Sequence, residues 1–236
     1  MAPQYDRQLI IGLERDAAIN STARNLAEKN KFAPKFKTQV LWLDRATSLG
    51  EKATSMPDSV QLKTAIARLT ENSRLYLTGH GDDTHLLVGG WSAAEVAKTL
   101  VDAGLRRVKT VSLVACGAAG NPAVRWDQDE GAATFASQLA VIFSMRGVET
   151  KLYARCYRVG AHAVRVTVPD WENPREKMHP GGQIAYQKRT RATADDKFIH
   201  KRPHSKIMYC ISPGAVKTSW VDYSEAHGDD AVGFHE

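Results

Sequence analysis

Residues 74–81 read RLYLTGHG, and residues 111–117 read VSLVACG. Each block is an apolar run of strand length that leads into a glycine-containing end, which is typical of a buried parallel strand. Open α/β sheets carry their reactive groups just beyond the carboxyl ends of such strands. The two blocks therefore predict that His80 and Cys116 lie at one rim of a sheet, where a thiol and an imidazole can meet.

The segment that joins the two blocks predicts how their strands are arranged. Ser92 and Glu95 have the spacing of a capping box, and the helix that they begin continues through Val96 and Leu100. A strand, a helix and a second strand in this order form a right-handed crossover, which makes the two strands parallel and near neighbours. Residues 81–90 are too short and too glycine-bounded for a helix and predict a small hairpin.

Strands and helices alternate along the rest of the chain, which predicts an α/β fold with a central, mostly parallel sheet flanked by helices. Apolar runs and alternation mark the strands, and helical spacing of apolar residues marks the helices. The expected strands are residues 8–13, 40–43, 150–157, 164–168 and 206–211, and the expected helices are residues 17–29, 62–69 and 135–146.

Length, cysteine content and charge limit the class of protein. A chain of 236 residues is long enough to bury a core without disulfide support. Cys116, Cys156 and Cys210 lack the spacing of a disulfide framework, which predicts reduced thiols and a reducing cytosol as the site of action. No apolar run reaches membrane-spanning length and the N-terminus lacks the signal-peptide pattern, so a soluble protein is expected. The net charge of +6 favours an anionic partner.

The glycine after the histidine adds a chemical argument to the two blocks. A strand-end histidine is more often structural than catalytic, and a buried cysteine is a common core residue. Gly81, however, lets the backbone come close to a substrate carbonyl. We therefore expect the N–H groups of Gly81 and Cys116 to form an oxyanion hole beside the thiol.

The two blocks resemble the His-Gly and Cys signatures of caspase-like cysteine proteases. The wider sequence is similar to the autoprocessing cysteine protease domain of MARTX toxins and large clostridial glucosylating toxins. This resemblance is carried by residues 5–16, 25–27, 74–81, 90–95, 112–116 and 170–171. It implies a caspase-like fold with a C-terminal β-flap subdomain, and a cysteine endopeptidase that cleaves after leucine.

The resemblance also assigns roles to three residues. It implies that Cys116 is the nucleophile, that His80 is the general acid and base, and that Asp16 is the acidic residue that orients the imidazole. Asp16 stands directly before Ala17, where the first helix is expected, so it also suits the N-cap position. The two roles of Asp16 are compatible.

Members of the family are activated by inositol hexakisphosphate, so the resemblance implies this polyanion as allosteric cofactor. It binds in a basic pocket across the β-flap from the active site, and no metal is expected. Trp171 resembles the flap tryptophan that links the two sites. The candidate phosphate ligands are Arg74, Arg165, Lys188, Arg189 and Lys206.

One protease domain is expected over residues 1–236, with a catalytic core (1–157), a β-flap and anion-binding region (158–212) and a tail (213–236). The substrate is a polypeptide, either the toxin's own chain or a host protein. Processing in cis stays open, because the family's cleavage site lies in an N-terminal extension and Met1 stands close to the first strand. A monomer without nucleic-acid or membrane partners is expected, from a secreted bacterial toxin or effector that acts in the host cytosol.

Two other functions are compatible with the residues. One is a caspase- or clostripain-like protease that does not depend on inositol phosphate. The other is a non-enzymatic basic module that binds phosphate-rich ligands or nucleic acid, with Cys116 in its core. Zinc binding by His200, His204 and Cys210 is disfavoured, since Pro203 prevents helical pairing of the histidines and a fourth ligand is missing. Serine-hydrolase and nucleotide-binding motifs are absent from the sequence.

Overall fold

The structure is a computed structural model of the chain. The structure describes residues 5–28, 37–43, 59–82, 84–120, 133–155, 159–165, 184–190 and 206–221.

Four helices and twelve strands lie in the described part of the chain. The helices are α1 (Ala17–Glu28), α2 (Ser59–Ala67), α3 (Ala93–Asp102) and α4 (Phe135–Met145). The strands of the first half are β1 (Arg7–Gly12), β2 (Lys37–Trp42), β3 (Arg74–Thr78), β4 (Gly81–Asp82), β5 (Leu87–Val88) and β6 (Trp91–Ser92). The later strands are β7 (Arg107–Val114), β8 (Glu149–Arg155), β9 (Val159–Arg165), β10 (Ile184–Thr190), β11 (Lys206–Ser212) and β12 (Ala215–Trp220).

Seven strands form the central sheet in the order β12-β11-β8-β7-β3-β1-β2. The five strands from β8 to β2 are parallel, whereas β11 runs antiparallel to β8 and β12 antiparallel to β11. The β3 and β7 strands are neighbours with α3 between them in the chain, as the predicted crossover requires. The prediction of an α/β fold with a mostly parallel central sheet is confirmed.

Side chains on the two faces of the sheet pack against different helices. Ile10, Tyr76 and Val114 form a buried cluster with Ala23 and Leu26 of α1. The alternate residues of the same strands pack against α2, α3 and α4 in the main core. The sheet is thus covered on both faces, which explains why its parallel strands are apolar throughout.

The helix between β3 and β7 begins as the sequence predicts. The Ser92 hydroxyl accepts a hydrogen bond from Glu95 N–H, and the Glu95 carboxylate accepts one from Ser92 N–H. This reciprocal pair satisfies two backbone donors at the start of α3. The capping box is therefore confirmed. The α4 helix carries a second such box, formed by Thr134 and Ser137.

Two smaller sheets lie outside the central one. The β4, β5 and β6 strands form an antiparallel three-stranded sheet where the sequence predicts a simple hairpin; the additional strand β6 directly precedes α3. The β9 and β10 strands form an antiparallel hairpin that lies beside α1. Among the described residues, every helix is too short or too polar to cross a bilayer.

Three sequence predictions need correction in the C-terminal part. The β9 strand begins at Val159, earlier than the strand expected at 164–168, and β10 was not predicted. The strand expected at residues 206–211 is present as β11, which belongs to the central sheet. Residues 215–220 extend the same sheet as β12, although they were assigned to the tail, because a turn at Pro213–Gly214 folds the chain back on β11.

Candidate active site

The carboxyl ends of β3 and β7 carry the two predicted catalytic residues. Thr78 of β3 is paired in register with Val114 of β7. His80 and Cys116 each follow two residues later, so both lie just beyond the same rim of the sheet. The thiol of Cys116 is reduced and half-buried, whereas the imidazole of His80 is exposed.

The backbone after His80 lies directly against the backbone of Cys116. A methyl carbon built on Gly81 would be 2.8 Å from the carbonyl carbon of Cys116 and 3.0 Å from its nitrogen, and would overlap its carbonyl oxygen. Only glycine, which has no Cβ, permits this approach. The structure therefore brings together the segments that carry the predicted nucleophile, base and oxyanion donors.

Asp16 contacts His80 and begins helix α1 at the same time. Its Oδ1 accepts a hydrogen bond of 2.8 Å from Ile19 N–H, and its Oδ2 contacts Nε2 of His80. Partial burial opposes ionisation of Asp16, but the hydrogen bonds from Ile19 and His80 outweigh it and lower its pKa. The N-cap and the contact with the imidazole thus coexist in one side chain.

Neighbouring segments hold the chain before and after this pair. Leu13 N–H donates to the carbonyl of Thr78 at 2.8 Å, and the indole N–H of Trp91 donates to the carbonyl of Leu13 at 3.0 Å. Gly89 N–H donates to the carbonyl of His80 at 2.8 Å. The backbone around His80 is therefore held by the segment that follows β1 and by the small sheet together.

The family of the chain follows from a comparison with protein-family models. The model of the Peptidase C80 family matches residues 3–164, which is more than half of the chain. The chain belongs to the Peptidase C80 family. This is the family of autoprocessing cysteine proteases of MARTX and clostridial toxins, so the chain is a cysteine peptidase and its substrate is a polypeptide. A comparison with curated proteins found no significant match.

The C80 match contains every residue of the site described so far. It includes the β1–α1 segment with Asp16, the His80 block and the Cys116 block, and it ends within β9. Glu14 also lies here: its Oε1 accepts a hydrogen bond from His80 N–H. Sequence reasoning assigned no role to Glu14, because a side chain that binds a distant backbone group leaves no spacing signal.

Three side chains of the site have the chemistry of metal ligands. One ligand atom from each of Glu14, Asp16 and His80 lies within 4.8 Å of the others. Asp16 and Glu14 are already engaged with the ring and the backbone of His80, respectively. These contacts account for the cluster within a cysteine peptidase of the C80 type.

The predicted phosphate ligand Arg74 is buried at the other end of β3. Its guanidinium donates to the hydroxyl of Tyr76 at 2.9 Å and to that of Tyr5 at 2.7 Å, and it lies 4.0 Å from the centroid of the Tyr5 ring. Arg74 is only 3% exposed. A role of Arg74 toward phosphate stays a prediction.

Lys206 lies near the rim that carries His80 and Cys116, on the same face of the sheet as Arg74. Its ammonium group is 4.5 Å from the Tyr153 ring centroid, and its strand partner is Arg155. The register places Arg74 and Lys206 three strands and four residues apart, which is about 20 Å between Cα atoms. The structure therefore does not bring these two residues together.

The remaining predicted ligands lie on the hairpin or outside the described residues. Arg165 ends β9, and Lys188 and Arg189 lie on β10, opposite Ala161 and Gly160. Because the hairpin is next to α1, it lies on the sheet face that carries Arg74 and Lys206. Trp171, Cys156, His200 and His204 lie outside the described residues.

Proposed function

We propose that this C80 peptidase cleaves its substrate with Cys116 as nucleophile and His80 as general acid and base. Asp16 orients the ring, and the N–H groups of Gly81 and Cys116 receive the oxyanion. The close contact of the Gly81 and Cys116 backbones carries this proposal. It places the two proposed donors next to each other beside the thiol, and two donors that act on one oxygen must be this close.

The contact with Asp16 supports one tautomer of His80. A carboxylate at Nε2 favours a proton on that nitrogen and leaves Nδ1 to exchange a proton with the thiol. The thiolate attacks the scissile carbonyl, and the imidazolium then protonates the leaving amine as the acyl-enzyme forms. Water, deprotonated by the same nitrogen, hydrolyses the thioester and restores the thiol. Asp16 complements the positive charge of the ring in both steps.

Replacement of Cys116 tests the nucleophile. Cys116→Ala is expected to abolish peptide cleavage and labelling by a leucine-based electrophilic probe, with the melting temperature unchanged. Cys210→Ala is the matched control, since it makes the same change in a half-buried thiol of β11. Cleavage that survives in Cys116→Ala contradicts the proposal.

Activation by inositol hexakisphosphate is the second part of the proposal. Arg155 and Lys206 lie opposite each other on antiparallel strands and are 6% and 5% exposed. Like charges directly opposite each other repel, so the pair attracts an anion. A polyphosphate that binds beside them offsets this repulsion and favours the conformation that it binds.

The position of Arg155 supports a link from this pair to the nucleophile. The carbonyl of Arg155 accepts a hydrogen bond of 3.1 Å from Ala119 N–H. Ala119 belongs to the same turn as Cys116. A shift of the end of β8 is thereby transmitted to the turn that carries the thiol.

Cleavage of a leucine peptide with and without inositol hexakisphosphate tests the switch. Activation and a rise in melting temperature are expected with the ligand. Cleavage that is equally fast without it assigns the chain to proteases independent of inositol phosphate. Lys188→Gln with Arg189→Gln should raise the activating concentration, whereas Lys98→Gln on the far side of the sheet should not.

The natural substrate and setting extend the family assignment. We propose cleavage after leucine, in the toxin's own chain or in host proteins, and action in the host cytosol after secretion. That compartment supplies a polyanionic activator and keeps the thiol reduced. Mass spectrometry of the fragments, with peptides that carry leucine or alanine before the bond, tests the specificity.

A further inference from the structure

The backbone of His80 lies where the chain leaves the central sheet. The β3 strand ends at Thr78, and the small sheet begins at Gly81. Leu13 N–H donates to the carbonyl of Thr78, so the parallel hydrogen-bond ladder between β1 and β3 extends to the end of β3. In a continued ladder, His80 N–H would donate to the carbonyl of Leu13.

That carbonyl instead accepts the indole N–H of Trp91, and Glu14 takes over the N–H of His80. The carbonyl of His80 is bonded to Gly89 N–H at 2.8 Å. Both backbone groups of His80 are therefore satisfied, one by a carboxylate and one by the small sheet. A hydrogen bond to a charged acceptor is stronger and more directional than one between neutral groups.

We infer that Glu14 is a positioning residue of the peptidase, which fixes the backbone of His80 while Asp16 fixes its ring. Glu14 and Asp16 are two residues apart on the segment between β1 and α1, and each contacts a different part of His80. A ring held at one nitrogen alone can still pivot with its backbone. The second contact removes that freedom and also fixes Gly81, the next residue and proposed oxyanion donor.

This inference rests on the proposed roles of His80 and Gly81, and kinetics of Glu14 variants test it. Glu14→Ala should lower kcat roughly tenfold or more, by the strength of a charge-assisted hydrogen bond, with KM almost unchanged. Glu14→Gln should restore most of kcat, because its amide oxygen accepts the same hydrogen bond. Glu71→Ala, an exposed glutamate at the opposite rim paired with Arg107, is the matched control.

Hydrogen exchange of the His80 amide gives a readout independent of catalysis. In the Cys116→Ala background, Glu14→Ala should accelerate exchange at His80 at least about tenfold, and Glu14→Gln should not. If Glu14→Ala does not fold, Glu14→Asp replaces it, since the shorter side chain withdraws the acceptor but keeps the charge.

The outcomes distinguish a failure of this inference from a failure of the proposed function. An unchanged exchange rate at His80 in Glu14→Ala or Glu14→Asp overturns the inference, and so does a Glu14→Gln variant as slow as Glu14→Ala. Full activity in Cys116→Ala overturns the proposed function instead. In that case the exchange experiment still decides whether Glu14 holds the backbone of His80.

Discussion

Replacement of Gly81 by alanine tests the geometry of the site most directly. Gly81 has no left-handed backbone angle, so its replacement acts through contact and not through conformational strain. The added carbon would lie 2.8 Å from the carbonyl carbon of Cys116, whereas carbon atoms pack at about 3.5–4.0 Å. The two segments must therefore separate by at least about 0.7 Å, which is 3.5 minus 2.8, and by more at the oxygen.

A separation of this size affects activity more than stability. A misplacement of about 1 Å lowers catalytic rates roughly 100-fold, which corresponds to about 2.7 kcal/mol of activation free energy. Overpacking costs about 1–3 kcal/mol of folding free energy. Gly81→Ala is therefore expected to remain folded at moderate temperature with kcat/KM lowered roughly 100-fold.

The assay is cleavage of a fluorogenic leucine peptide at saturating inositol hexakisphosphate, with thermal unfolding measured in parallel. Gly147→Ala is the control: its backbone angle is positive, at 75°, and open space surrounds it. The control should lose about 1–2 kcal/mol of stability and keep its activity. A Gly81→Ala variant with kcat/KM within threefold of wild type would refute the contact between the His80 and Cys116 segments.

Three further predictions concern the residues around the site. Because the pKa of Asp16 is lowered in the folded protein, Asp16 stabilises the fold at pH values above its ordinary pKa of 3.8, and this stability is lost as the pH falls through the folded pKa. The Asp16→Asn variant keeps an N-cap but cannot ionise. The difference in unfolding free energy between wild type and Asp16→Asn, measured by urea unfolding, should therefore shrink from pH 6 to pH 3. Trp91→Phe removes the donor to the carbonyls of Leu13 and Leu43 and should cost about 1–3 kcal/mol in the same assay, and an unchanged midpoint would contradict the role of the indole. The concentration of inositol hexakisphosphate for half activation should rise with added salt, because the ion atmosphere screens the charges; activation insensitive to salt would exclude an electrostatic pocket.

The central sheet was predictable because its strands are apolar on both faces. Glycine residues mark the ends of the two blocks that carry His80 and Cys116. The capping box of Ser92 and Glu95 marks the start of the connecting helix. The edge strand β12 was missed because most of its side chains are exposed and its composition is therefore mixed. The Pro213–Gly214 turn before it is a local signal that the chain folds back on β11. The β10 strand was missed because its positive charges obscured a β pattern.

The parts of the candidate site that lie at the carboxyl ends of strands could be predicted from the sequence. Parallel neighbours in register place His80 and Cys116 at one rim, and the glycine after His80 indicates a close approach. The contact of Glu14 with His80 joins residues that are far apart in the chain and involves a backbone donor, so no residue pattern encodes it. The separation of Arg74 and Lys206 depends on the strand order, which the local sequence does not determine.

Helix α1 touches both parts of the proposed mechanism. Its N-cap residue, Asp16, contacts the imidazole of His80, and its side lies next to the β9–β10 hairpin that carries Lys188 and Arg189. In the mechanism that we propose, a ligand that moves the hairpin against α1 would therefore also move the Asp16 carboxylate. The turn of Cys116 is joined to β8 through Arg155, whose neighbour is Lys206. In the activation that we propose, an anion bound between hairpin and sheet would thus have one contact route to the proposed base and another to the proposed nucleophile.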